Sequence, residues 1–292
     1  GTRSRSGQTE DKLKLGLISS LIEAQRLHIE NNEDRKIFVV PLNIGYHFVL
    51  EASHLIDQHL QLVGRDKYKR TKSGGPTFGS IFKFIKDIYG KSSEVYMSFG
   101  EPMDVFGNKV DNDGKSFDKF GHIVDTKDYF TFAGELSSNS QRESIYAKLL
   151  GESVVEAYSK YNVILSSNVV AFCAFHIIYE EYKETGLLQL VNQKYKTFTI
   201  TADTLEEKVR IVVNLILDKK NKDLVTISDE SWDNVSDLIK EGVYKLGIYH
   251  AASVLKPDKK NNLVCDDIRL LYFYHNRLTN YGLEELMDWE KV

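Results

Sequence analysis

The stretch YNVILSSNVVAFCAFHII, Tyr161 to Ile178, constrains this chain more than any other. It is long enough to cross a bilayer once or to form the central helix of a packed domain. Asn162, Ser166, Ser167, Asn168 and His176 interrupt it, whereas a spanning helix shows about 20 predominantly apolar residues. The expectation is therefore a buried helix, with an interfacial helix as its competitor.

A buried helix needs a large core around it, and 292 residues with 42% hydrophobic and 27% charged side chains can supply one. Sixteen Tyr and fifteen Phe against four Pro favour ordered packing. The balance of 38 basic against 42 acidic residues gives a net charge of −4. That offers no global case for nucleic acid as a partner, so any anion binding must be local. Cys173 and Cys265 lie far apart and no metal-ligand spacing occurs, so no metal and a reduced, cytosol-facing environment are expected.

Along the chain, Leu13, Leu17, Ile18, Leu21 and Ile22 recur at helical spacing up to about Asn31. KIFVVPLNIGY then reads as a strand buried on both faces, broken or ended by Pro41. Further helices and the strand EVYMSFGEPMDV follow, an alternation that suits an α/β layer with a mostly parallel sheet. Residues from about Phe106 to Ser140 are polar, rich in Asp, Gly and Ser, and read as a connection. Beyond it helices predominate, one of them expected to start at an Asp203 cap with Glu206. YHAASVLKPDKKNNLVCD reads as two short strands around a turn, and IRLLYFYHNRLTNYGLEELM as an aromatic closing helix capped by Asp266 and Asp267. No internal repeat is evident. The domains expected are 1–106, a connection 107–140, and a mainly helical domain 141–292 with a small β-hairpin.

The opening GTRSRSG sets Arg3 and Arg5 around Ser4, between Gly1 and Gly7, just before a helix. Glycines let backbone N–H groups approach a ligand, and helix N-termini favour anions. Arginine adds a planar fork that grips phosphate bidentately. Each charge-assisted bond is worth about 1.5–3 kcal/mol. The alternative is a solvated basic turn.

Taken with two later stretches, this turn resembles the third conserved block of the glycerolipid acyltransferases, Glu-Gly-x-Arg-Ser-Arg. VPLNIGY, Val40 to Tyr46, resembles the next block, and FGEP, Phe99 to Pro102, resembles the end of a later strand. VILSSNVVAFCAF and LLYFYHNRL, with Tyr274 and Asn276, resemble two helices of the branch that acylates glycerol 3-phosphate or dihydroxyacetone phosphate. The blocks stand in the family's order over most of the chain.

The resemblance implies a fold: the C-terminal part of the acyltransferase α/β domain, its mostly parallel sheet flanked by helices, followed by the helical domain. It also implies acyl transfer, without a cofactor, from acyl-CoA or acyl carrier protein to glycerol 3-phosphate in phospholipid synthesis. The enzyme would sit on a membrane surface facing the cytosol. Gly1, Arg3, Ser4 and Arg5 would hold the acceptor phosphate, and Val40, Pro41 and Leu42 would lie on the acyl-donor side. The family's base is the His of a His-x-x-x-x-Asp block, held by its acidic partner. None of the eight histidines, His28, His47, His54, His59, His122, His176, His250 and His275, has Asp five positions later. His28 and His176, with Glu33 and Glu181, come nearest but follow the phosphate block; they read as a solvated helix-end residue and a satisfied core residue. The expectation is a C-terminal piece of a longer enzyme, inactive alone. Two alternatives stay open: a dihydroxyacetone-phosphate acyltransferase, and a non-catalytic phosphate- or membrane-binding module.

Arg65, Lys67, Lys69, Arg70 and Lys72 form a basic cluster, either a solvated loop or a contact for anionic groups. The following helix, with Phe78, Ile81, Phe82, Ile85 and Ile88 on one face, suits core packing or a membrane surface. DNDG, Asp111 to Gly114, lacks the later ligands of a calcium loop and reads as a plain turn.

Overall fold

The computed structural model describes residues 4–64, 94–193, 196–250 and 253–289. The fold is mixed α/β. In chain order the first described elements are α1 (Leu15–Glu30), β1 (Phe38–Val39), β2 (Leu42–Tyr46), α2 (Ala52–Gly64) and β3 (Val95–Phe99). Six short strands follow: β4 (Met103–Asp104), β5 (Lys109–Val110), β6 (Ser116–Phe117), β7 (Ile123–Val124), β8 (Thr131–Phe132) and β9 (Glu135–Leu136). Then come α3 (Ser140–Tyr161), β10 (Val163–Ile164), α4 (Ser166–Glu181), α5 (Leu187–Val191), β11 (Phe198–Ile200), α6 (Ala202–Asn221), β12 (Thr226–Ile227) and α7 (Val235–Lys245). The hairpin strands β13 (Lys256–Pro257) and β14 (Leu263–Cys265) precede α8 (Ile268–His275). Two compact units share these elements: residues 1–9, 44–96 and 162–292 form one, residues 10–43 and 97–161 the other.

In the second unit α1 packs on α3 over a core of Ile18, Ile22, Phe106, Phe130, Leu150 and Val154. A five-stranded sheet runs β1-β4-β5-β6-β7, antiparallel throughout. Its turns repeat every seven residues: Asp104-x-x-Gly107, Asp111-x-x-Gly114, Asp118-x-x-Gly121. In each, one Asp oxygen accepts the N–H groups two and four residues on, at 2.8–3.0 Å. The glycines sit at φ +84°, +76° and +83°, which residues with a Cβ rarely adopt. An Asx turn closed by a left-handed glycine is a hairpin device. Residues 107–140, expected as a connection without repeats, are therefore mostly hairpins. DNDG is one of these turns, as expected.

The mostly parallel sheet is corrected at the same place. Among the described residues β1–β4, β4–β5, β5–β6, β6–β7, β8–β9, β11–β14 and β13–β14 are antiparallel pairs, and β10–β12 is parallel. Tight turns, rather than helical crossovers, join most of these strands. KIFVVPLNIGY is also not one strand buried on both faces. It breaks at Val40–Pro41, where Pro41 has no N–H to give and its carbonyl accepts from Gly100 N at 2.8 Å. Phe38, Val40, Leu42 and Ile44 are 43–49% exposed.

In the first unit α4 is the buried helix expected from the apolar run, with Val169 to Phe175 inaccessible or nearly so. It packs against α6, α7 and α8. Among the described residues no helix is long and apolar enough to cross a membrane. Of the polar residues that interrupt the run, Ser166, Ser167 and Asn168 gather at the start of α4: Asn168 Oδ1 accepts Leu165 N at 3.1 Å, and Ser166 donates to Glu230. Helix α6 is capped by Thr201, whose hydroxyl accepts Thr204 N at 3.3 Å, and not by Asp203. Glu206 pairs with Arg210 at 2.6 Å instead of closing a capping box. Asp267 caps α8 as expected, accepting Arg269 N and Leu270 N. Cys173 and Cys265 are buried free thiols whose ionisation burial suppresses.

Candidate functional site

The opening turn is held by the closing helix. Asn276, at the C-terminal cap of α8, donates from Nδ2 to the Ser6 carbonyl at 2.7 Å, both groups buried. Gln8 Nε2 donates to Thr279 Oγ1 at 3.1 Å, and Asn280 Nδ2 to the Thr9 carbonyl at 2.8 Å. Gly7 lies at φ +91°, and a Cβ there would stand 2.0 Å from the Phe273 carbonyl oxygen. Only glycine lets the turn come this close. Within it Ser4 Oγ and Ser6 Oγ are 3.1 Å apart, and Ser6 Oγ accepts Gln8 N at 3.2 Å.

Arg5 is exposed, and Ser4 is half-buried. One residue beyond Asn276, Arg277 is half-buried and faces the phenols of Tyr46, Tyr274 and Tyr281. Burial lowers its pKa from the ordinary guanidinium value, and the tyrosines oppose that. No carboxylate pairs with Arg277 or Arg5 among the described residues. A desolvated arginine without an acid is a group that an anion would satisfy. Tyr274 is itself fixed: its hydroxyl accepts Val49 N at 3.0 Å and bonds His250 Nε2 at 2.8 Å. Three stretches quoted for the resemblance, the opening turn, the IGY of β2 and the YHNR of α8, thus meet in one unit.

Of the residues expected at the site, Ser4 and Arg5 lie in this turn, while Gly1 and Arg3 lie outside the described residues. So do the basic cluster from Arg65 to Lys72 and the apolar helix after it. Val40, Pro41 and Leu42 belong to the second unit, where Pro41 is buried and the other two present apolar side chains to solvent. His28 is a helix-end residue, as expected, but half-buried and bonded to Glu33 at 2.7 Å instead of solvated. Arg277 is the residue that sequence reasoning missed, and the close approach of Gly7 to the Phe273 carbonyl was not foreseen. Arg277 stood inside LLYFYHNRL, quoted only for the resemblance of the closing helix.

A second polar cluster lies at the start of α4. Glu230 is buried and accepts from Ser166 N at 2.7 Å and from the Ser166 and Ser228 hydroxyls at 2.5 Å. A carboxylate at a helix N-terminus is favoured by the free N–H groups and the dipole. Lys245 Nζ lies 3.5 Å from it and bonds Glu241 at 2.7 Å. His47, 1% exposed, bonds Ser167 Oγ through Nδ1 at 2.8 Å, and its Nε2 stands 3.6 Å from Glu230. Burial pulls His47 down to about 4, against the opposing pull of Glu230. This imidazole is packed into the start of α4 and helps to hold it.

Burial also takes His250 to about 4 and His275 well below its ordinary value. In the unfolded chain each would titrate near 6.5. As pH falls from about 6.5 to 4 the unfolded chain takes up protons that the native protein refuses. Stability is therefore complete above pH 6.5 and is lost on acidification, by about 1.4 kcal/mol per pH unit for each such histidine. Urea midpoints at pH 7, 6 and 5 should fall steadily, and equal midpoints would contradict the burial of these imidazoles.

Comparison with protein-family models and with curated proteins gives no match for this chain.

Proposed function

We propose that this chain carries the acceptor-phosphate site of a glycerol-3-phosphate 1-O-acyltransferase. The observation that carries the reading is the seating of residues 4–8 on the end of α8, through the buried Asn276–Ser6 bond. Seated there, the turn offers Ser4 and Arg5 beside a helix end whose Arg277 has no acidic partner among the described residues. Arginine forks and hydroxyls suit a phosphate monoester. In the reaction, the acceptor hydroxyl attacks the thioester carbonyl of acyl-CoA or acyl carrier protein. The ester C–O bond forms, the C–S bond breaks, and the thiol leaves.

No histidine of the chain stands in the His-x-x-x-x-Asp pattern. We therefore assign acceptor binding to this chain and proton abstraction to residues outside it. On this reading Val40, Pro41 and Leu42 serve the acyl donor. The product would be an amphiphile, so the enzyme would work at a cytosol-facing membrane surface.

Acyl transfer by the protein expressed from its complete coding sequence tests the proposal, with glycerol 3-phosphate and dihydroxyacetone phosphate in competition. Arg3→Ala and Arg5→Ala should each lower kcat/KM by about 10–100-fold, the worth of one charge-assisted bond. A preference for dihydroxyacetone phosphate would reassign the acceptor. No transfer to either acceptor by a folded protein would leave a phosphate-binding module without catalysis.

A further inference from the structure

We propose that His176, His275 and Glu284 form a binding site for a divalent transition ion, zinc being the best match. The Nε2 atoms of the two histidines are 2.9 Å apart, and Glu284 Oε1 lies 3.7 Å from His176 Nε2. All three donor atoms fall within 4.8 Å of one another. Tetrahedral zinc with bonds of about 2.0–2.1 Å spaces its ligand atoms roughly 3.3 Å apart. The observed separations bracket that value, so small side-chain movements would seat the ion.

The supporting groups point the same way. The Ser6 carbonyl can only accept, so Asn276 must turn its Nδ2 toward it and its Oδ1 toward His275. Oδ1 takes the Nδ1 proton of His275 at 2.9 Å, which leaves the His275 Nε2 lone pair facing His176. A ligating histidine that donates its other N–H to a fixed oxygen is the usual second layer of a zinc site. In the metal-free protein His176 donates from Nε2 to His275; on binding, that proton would move to His176 Nδ1 and each imidazole would remain neutral.

Aromatic rings fix the planes. Phe172 stacks on His275 at 5.4 Å and 5°, and Trp289 stacks on His176 at 4.5 Å and 20°. Trp289 Nε1 also donates to the Glu284 carbonyl at 3.2 Å, tying the carboxylate's backbone to the same stack. His176 and Glu284 keep side-chain exposures of 13% and 33%, which leaves an entry path and room for a fourth ligand. The sequence concealed the site because His176 and His275 are 99 residues apart.

The test is titration of the chelator-treated 292-residue protein with Zn²⁺ by calorimetry, and with Co²⁺ by visible absorption. One equivalent of zinc should bind, and Co²⁺ should show the intense d–d bands of a four-coordinate site. His176→Gln and Glu284→Gln lie at the accessible side and should retain the fold by circular dichroism. The first should weaken binding at least about a hundredfold and the second about tenfold or more. A folded wild-type protein that binds no stoichiometric zinc would overturn the proposal. So would variants that bind as tightly as wild type.

Discussion

Glu230→Ala is expected to destabilise the protein by about 3–5 kcal/mol, the usual cost of breaking a buried charged network from one side. The carboxylate takes the first N–H of α4 and the hydroxyls of Ser166 and Ser228, and it faces Lys245 and His47. Alanine would take this acceptor from the Ser166 N–H and from the Ser166 and Ser228 hydroxyls and open a cavity at the start of the central helix. Glu230→Gln keeps the volume but presents an NH₂ to groups that already donate, so its cost should be intermediate. Urea unfolding at pH 7 measures both, and a loss under about 1 kcal/mol for the alanine variant would show that the cluster contributes little.

The second large effect is expected at Gly7. An alanine Cβ would lie 2.0 Å from the Phe273 carbonyl oxygen, and the φ of +91° is itself strained for any side chain. The clash is with backbone, so a side-chain rotation cannot relieve it. The turn should lift off α8, break the Asn276–Ser6 bond and strand the Asn276 amide, at about 1–3 kcal/mol of stability. Because the turn positions Ser4 and Arg5, affinity for glycerol 3-phosphate should fall by about 10²-fold, the equivalent of two modest hydrogen bonds to a charged group. Asn276 and Arg277 stay in place, so an unchanged affinity would detach phosphate binding from the turn.

The central helix was legible because an apolar run of that length must be buried somewhere. Three of its polar interruptions, Ser166, Ser167 and Asn168, are the N-terminal end of α4, where serine and asparagine bond free backbone and side-chain groups. The hairpins were not legible by periodicity. Strands of two residues carry no alternation, and only the spacing of Asp104, Asp111 and Asp118 with their glycines marks them. The residues of KIFVVPLNIGY did form strands, yet composition could not reveal that Phe38, Val40, Leu42 and Ile44 face outward. At the candidate site the basic turn was visible, but its partner was not. The Asn276–Ser6 bond joins residues 270 apart, and no local pattern encodes such a pairing.

Glycerol 3-phosphate titrated into the 292-residue chain, followed by calorimetry with glycerol as the uncharged control, tests the central claim most directly. Wild type should bind glycerol 3-phosphate and not glycerol, inorganic phosphate should compete, and Arg5→Ala and Gly7→Ala should lose the affinity. A folded wild-type chain that does not bind glycerol 3-phosphate, or an Arg5→Ala chain that binds it unchanged, would contradict the assignment of the opening turn as a phosphate site.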